Sequence, residues 1–170
     1  TMNNFGEMKQ GSKFPGMIQK AIEEGKEITI HGESNGEIGS RSYIHSRNVA
    51  DAVLFILKNT IVHLHEPLVV DKPDCYNIAG DKQLTNLELA QTIAKLMGKE
   101  LKYSILDSHT VRPGHDPHYG LDDTKLKDLG WKSPLSFEES LKNTIEWQRE
   151  NKAWIEWAYI YNKKQTKTKS

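Results

Sequence analysis

Apolar residues recur along this chain at two spacings, and those spacings predict its elements. In residues 15–26, Met17, Ile18, Ala21 and Ile22 share one helical face behind Pro15, and Gly25 ends the run. This predicts a short amphipathic helix, with proline tolerated in a first turn whose N–H groups have no helical partner anyway. Val49, Ala52, Val53, Phe55, Ile56 and Leu57 predict a second helix, capped by Ser46 or Asn48 and apolar nearly all round. A helix of that kind is expected to be buried against a sheet. Leu87, Ala90, Ile93, Ala94 and Met97 line a third, opened by the capping box Thr85-x-x-Glu88 and closed by Gly98. Asp123–Leu129 reads as a short helix before Gly130. Ser136-x-x-Glu139 opens a long helix through Leu141, Ile145 and Trp147, reaching toward Trp154.

Between the helices the spacing changes to alternation. Glu27–His31 and Glu100–Leu106 read as strands, Ser42–His45 as a short extended piece after a glycine-rich turn, and Cys75–Ala79 as a compact strand ending at Gly80. Residues 59–73 form a connection containing His63, His65 and a short apolar run at Leu68–Val70. Lys163–Ser170 is a polar, basic end expected to fray. Short strands mixed with helices predict an α/β chain.

Composition narrows the function classes. The chain has 170 residues, with 23 Lys+Arg against 23 Asp+Glu, so no basic excess suggests a nucleic-acid partner. No apolar run approaches the roughly 18–20 residues of a membrane span, and no signal-peptide pattern opens the chain. A lone cysteine, Cys75, fits a reducing, cytoplasmic setting. The opening Thr1-Met2-Asn3-Asn4-Phe5-Gly6 has neither an initiator methionine nor a lead-in element, which suggests a fragment of something longer.

Three groups of residues could carry chemistry. Glu27–His31 followed by Gly32, Gly36 and Gly39 superficially imitates a nucleotide-binding loop. Such a loop must run straight into a helix so that free N–H groups meet the anion, and here the β-like Tyr43-Ile44-His45 intervenes. Tyr159-x-x-x-Lys163 has acid/base spacing but sits in the polar end, so a surface helix is the better reading. Arg112-Pro113-Gly114-His115-Asp116-Pro117-His118-Tyr119 gathers a guanidinium, two imidazoles and a carboxylate in one loop. Arginine suits a bidentate grip on phosphate, and composition alone fits a solvated turn equally well. A metal held by His115, His118 and Asp116 or Asp122 lacks further ligands at a familiar spacing. Arg41 and Arg47, taken singly, read as surface charges.

In order along the chain, these pieces resemble the C-terminal half of the extended short-chain dehydrogenase/reductases that act on nucleotide sugars, with the pattern of the dTDP-glucose 4,6-dehydratases. The resemblance covers about residues 1–155. Its most specific element is Arg112-Pro-Gly-His115-Asp116, similar to the family's Arg-Pro-Gly-His-Asp loop, followed by a helix and Leu129-Gly130-Trp131. Asn3-Asn4-Phe5-Gly6, Ile30-His31-Gly32, Arg41, Tyr76-Asn77-Ile78-Ala79-Gly80 and Asn86 resemble further family motifs in sequence order. His31 stands where the family has tyrosine, and the helix after Phe14-Pro15 is shorter, so the base is left open.

The resemblance implies an α/β substrate-binding part, residues 1–155, with a basic tail at 156–170 and the Rossmann cofactor half absent. It implies a nucleotide diphosphate sugar, dTDP- or UDP-linked, as ligand. Arg41, Asn86 and Arg112 would hold the diphosphate, with His115 beside them, Asn3 near the sugar and His31 on the nucleotide side. NAD would be bound mainly by the missing half, which would also carry the catalytic residues and the homodimer contacts. No catalytic, cofactor-binding or metal residue is assigned here, and the chain alone is expected to be inactive. The implied function is substrate binding within an NAD-dependent nucleotide-sugar 4,6-dehydratase, a lyase. The alternatives are a 4-epimerase or decarboxylase of the same family, or a non-catalytic nucleotide-sugar-binding module.

Overall fold

The computed structural model describes residues 1, 3–8, 13–33, 36–63, 74–107, 118–157 and 160, with the side chains at 60–63 set aside. Seven strands and five helices follow one another as β1 (Asn4–Phe5), α1 (Phe14–Glu23), β2 (Ile28–Gly32), β3 (Ser40–Ser42), β4 (Ile44–His45), α2 (Ser46–His63), β5 (Gln83–Thr85), α3 (Asn86–Met97), β6 (Tyr103–Asp107), β7 (His118–Tyr119), α4 (Thr124–Asp128) and α5 (Phe137–Glu150) among the described residues. Helical residues resume at 152–157. No helix among the described residues is long and apolar enough to cross a membrane.

Local chemistry accounts for the helix ends. Thr85 Oγ1 accepts the Glu88 N–H at 3.1 Å while Glu88 Oε2 accepts the Thr85 N–H at 2.8 Å, so both halves of the capping box at α3 are formed. Gly98 ends α3 at φ 65°, a conformation glycine adopts without a Cβ penalty. At α5, Ser136 Oγ accepts the Glu139 N–H. On α1, Pro15 lies in the first turn and Ile18 and Ile22 point inward.

The strands form three small sheets. β2 and β6 pair in parallel, from Ile28 opposite Tyr103 to Gly32 opposite Asp107. β1 and β4 pair in parallel. β3 lies between β5, antiparallel to it, and β7, parallel to it. Two apolar clusters hold these layers together. The larger joins Ile18, Ile22, Ile30, Leu84, Leu89, Ile93, Phe137 and Leu141 under α1, α3 and α5. The smaller gathers Ile44, Ala52, Ile78, Leu126 and Trp131 beneath α2.

Several expectations are corrected. α2 runs to His63, so residues 59–63 are helical rather than part of a connection. Ser46 lies inside α2, and Asn48, instead of capping, donates from Nδ2 to Leu135 O at 2.9 Å. α2 is not buried all round: Val53, Leu54 and Leu57 are 44%, 57% and 54% exposed. Cys75–Ala79 forms no strand. Its Ile78 and Ala79 are anchored in the interior, but no ladder partner lies beside it among the described residues. The extended piece at Ser42–His45 is divided between β3 and β4, with Tyr43 buried between them. β6 begins at Tyr103 rather than Glu100, and Tyr103 to Leu106 are all exposed. Leu68–Val70, His65, Tyr159, Lys163 and the basic end lie outside the described residues.

Candidate functional site

β3 is the hub of the candidate site because it carries Arg41 and has a neighbour on each edge. Its register places Ser40 opposite Thr85 on one side and His118 on the other, with Arg41 opposite Leu84 and Tyr119. The Arg41 guanidinium lies 4.1 Å from the centroid of the Tyr119 ring, a cation–π distance. One of its NH groups donates to Ser40 O at 2.6 Å. Two contacts on different partners thus define the plane in which the remaining N–H groups lie.

Asn86 is drawn to the same place. As the first residue of α3 it donates its backbone N–H to Gly39 O at 2.9 Å, and its Oδ1 accepts from the Tyr43 hydroxyl at 3.4 Å. Burial pushes the Tyr43 phenol up to about 12, partly opposed by the Arg41 charge, so it remains a neutral donor. Asn86 is therefore tied two residues before Arg41 and two residues after it.

A side-chain chain crosses the whole sheet. Gln83 Nε2 donates to Ser40 Oγ at 2.7 Å, Ser40 Oγ lies 2.7 Å from His118 Nδ1, and His118 Nε2 lies 2.8 Å from Glu37 Oε1. Neither Gln83 nor Glu37 carries any sign of this role in the sequence, because register alone brings them together. In the sequence Tyr119 reads as a member of the polar loop and His118 as a loop residue or metal ligand, and neither role points to β3.

The other expected site residues are distributed. His31 is on β2, and its buried Nδ1 meets no hydrogen-bond partner among the described residues. Asn3 has a left-handed backbone at φ 52°, which asparagine tolerates better than most residues, and its buried Nδ2 likewise meets no partner among the described residues. These two residues belong to the β2–β6 and β1–β4 regions rather than to the β3 sheet. Arg112 and His115 lie outside the described residues, as does Asp116. The residues flanking that stretch are fixed: Asp107 pairs with Gly32, and His118 with Ser40.

A second polar group lies away from β3. His45 is 2% exposed, and its Nδ1 accepts the Arg47 backbone N–H at 3.1 Å. A neutral ring therefore carries its proton on Nε2, which lies 3.2 Å from Glu7 Oε2, within ion-pair distance. Arg47 reaches the other Glu7 oxygen at 3.1 Å. Burial holds the His45 pKa below its ordinary value, the Glu7 charge opposing and the Arg47 charge assisting. Arg47, read from sequence as a surface charge, is exposed as expected and also pairs with Glu7.

The glycine-rich stretch after β2 does not form a phosphate-binding loop. The Gly36–Gly39 stretch leads into β3 and not into a helix N-terminus, so it offers no set of free N–H groups for a pyrophosphate. Among the described residues no cluster of three His, Cys, Asp or Glu side chains could hold a metal ion.

No family model matches the chain. It is 30% identical over 155 residues to a dTDP-glucose 4,6-dehydratase of Streptomyces niveus, covering 91% of this chain and 42% of that protein. It is 34% identical over 148 residues to a trifunctional UDP-glucose 4,6-dehydratase of Arabidopsis thaliana, covering 84% of this chain and 20% of that protein. Among solved structures, an NAD complex of dTDP-glucose 4,6-dehydratase from Bacillus anthracis superposes with a TM-score of 0.67 at 26% identity, over 92% of this chain and 45% of that one. A UDP-glucose 4-epimerase of Thermotoga maritima with UDP-glucose gives 0.63 at 25%, over 87% and 44%. The chain thus spans less than half the length of these relatives, and the matches fall on their C-terminal fraction. In sequence and fold the chain corresponds to the C-terminal part of dTDP-glucose 4,6-dehydratase-like enzymes, within the NAD-dependent epimerase/dehydratase group of short-chain dehydrogenases.

Proposed function

We propose that this chain is the substrate-gripping part of an NAD-dependent nucleotide-sugar 4,6-dehydratase and holds the diphosphate of a dTDP- or UDP-linked hexose. The observation that carries the reading is the β3 assembly, in which Arg41 is stacked on Tyr119 and Asn86 is tied to both sides of it. A planar guanidinium with its orientation fixed suits bidentate contact with phosphate oxygens. Arg112 would supply the second cation, with His115 beside it. Asn3, with an unsatisfied buried donor, would meet the sugar, and His31 the nucleotide side.

NAD, when bound in the longer enzyme, supplies the hydride acceptor. The described residues supply binding and orientation, which lower a barrier by fixing the reacting carbons against the cofactor. Catalytic turnover and dimer contacts are assigned to the remainder of the longer enzyme. The open apolar face of α2 supports this division, since a helix with that pattern is built to be covered.

Titration of the 170-residue chain with thymidine diphosphate tests the reading. Binding is expected, and Arg41→Ala is expected to weaken it about tenfold, the loss of one charge-assisted contact. An Arg41→Ala variant that binds like wild type overturns the site. The similarity to a UDP-glucose 4-epimerase favours one second reading, C4 epimerisation. Product analysis on the complete enzyme separates the two: a 4-keto-6-deoxy sugar supports dehydration, and a C4 epimer alone overturns it.

A further inference from the structure

Resting on the diphosphate reading, we infer that His118 is a positioning residue for Arg41, acting through the hydrogen-bond chain Gln83–Ser40–His118–Glu37. Among the described residues β7 comprises only His118 and Tyr119, and both are exposed. A strand so short gains little from its ladder, so something else must keep it against β3. Side chains do this. Gln83, on β5, can only donate from its Nε2, so Ser40 Oγ accepts there. The 2.7 Å contact between Ser40 Oγ and His118 Nδ1 is met when the hydroxyl donates to the ring nitrogen. That leaves the imidazole proton on Nε2, facing the Glu37 carboxylate. Every donor in the series meets an acceptor, and a single tautomer of His118 satisfies all of them.

The chain runs across three strands and passes through His118, the residue next to Tyr119. By clasping His118 it holds the Tyr119 ring under the Arg41 guanidinium, 4.1 Å from centroid to carbon. Arg41 is thereby ordered before any anion arrives, so less conformational entropy is lost on binding. His118 itself needs no contact with the ligand. Its influence passes through Arg41 alone, which distinguishes it from a general structural residue.

The test is a double-mutant cycle on the 170-residue chain, read by titration with thymidine diphosphate. His118→Ala is expected to weaken binding about fourfold, the size of an exposed cation–π contact. Tyr119→Leu, which removes the ring and keeps the bulk, should do the same. In an Arg41→Ala background His118→Ala should have no further effect, since there is no guanidinium left to position. Unchanged affinity in His118→Ala, or an equal loss with and without Arg41, overturns the positioning role while leaving the diphosphate site standing. Wild-type affinity in Arg41→Ala overturns both. Should His118→Ala unfold, Glu37→Ala breaks the chain at its exposed end (55% side-chain exposure) and is expected to show the same dependence on Arg41.

Discussion

Beneath α1, α3 and α5, Leu89 and Ile93 are each only 1% exposed and are sealed by side chains from several elements. On α2, Ala52 is just as fully buried, yet Val53, Leu54 and Leu57 on its other face look outward. The first cluster is complete within this chain, and the second is covered on one side only. The contrast shows that an apolar stripe records that a surface is meant to be covered, without recording by what. In one place the cover is the next helix of the same chain, and in the other no described residue supplies it.

Substitutions in the two regions should therefore differ sharply. Leu89→Ala, in the sealed cluster, is expected to cost about 4 kcal/mol of folding stability, measured by chemical denaturation. Gly80→Ala should come next, at about 3 kcal/mol. A Cβ there would lie 1.9 Å from the Tyr43 carbonyl oxygen, a backbone atom that cannot swing aside. Gly80 follows Ile78 of the open cluster and abuts Tyr43 of the sealed one, so this substitution tests whether the two are held as one body.

His45 lies on the same boundary, with its ring edge-on to Phe5 at 5.2 Å and Ile44 beside it in the smaller cluster. Its pKa is lowered from 6.5 in the folded chain, so the unfolded chain binds a proton that the folded one refuses. Stability should fall as pH drops below about 6.5 and level off once the folded imidazole protonates. His45→Gln should flatten that part of the pH–stability curve. A slope that survives the substitution would assign the effect to another group. The smallest effect is expected at Leu57→Gln, within about 0.5 kcal/mol of wild type by denaturation. A loss comparable to that of Leu89→Ala would show that the outer face of α2 is covered in the isolated chain after all.

What the sequence made legible was local. The spacing of Ile18 and Ile22, the Thr85–Glu88 capping box and the left-handed Gly98 all act within a few residues, and each appears as expected. Arg41 and Asn86 are named by resemblance, and the fold ties the Asn86 backbone to Gly39, two residues before Arg41. What stayed hidden depends on partners distant in sequence. Cys75–Ala79 has strand chemistry, but a strand needs a neighbour, and none stands beside it among the described residues. Glu7 and His45 meet because β1 pairs with β4, and Glu37 meets His118 because β7 pairs with β3. No spacing rule foretells either encounter.

The three-stranded sheet also sets an order of events in time. Ser40 bonds Gln83 across 43 residues and His118 across 78. Closing chain segments of that length costs entropy before any contact repays it, so such pairings form late. During synthesis from the N-terminus, Arg41 emerges long before the ring it will rest on. The face that carries Arg41 is therefore assembled only when β7 has left the ribosome and found β3. The Arg41 guanidinium rests on Tyr119 only after that pairing, so the arrangement switches on as a whole rather than building up along the way.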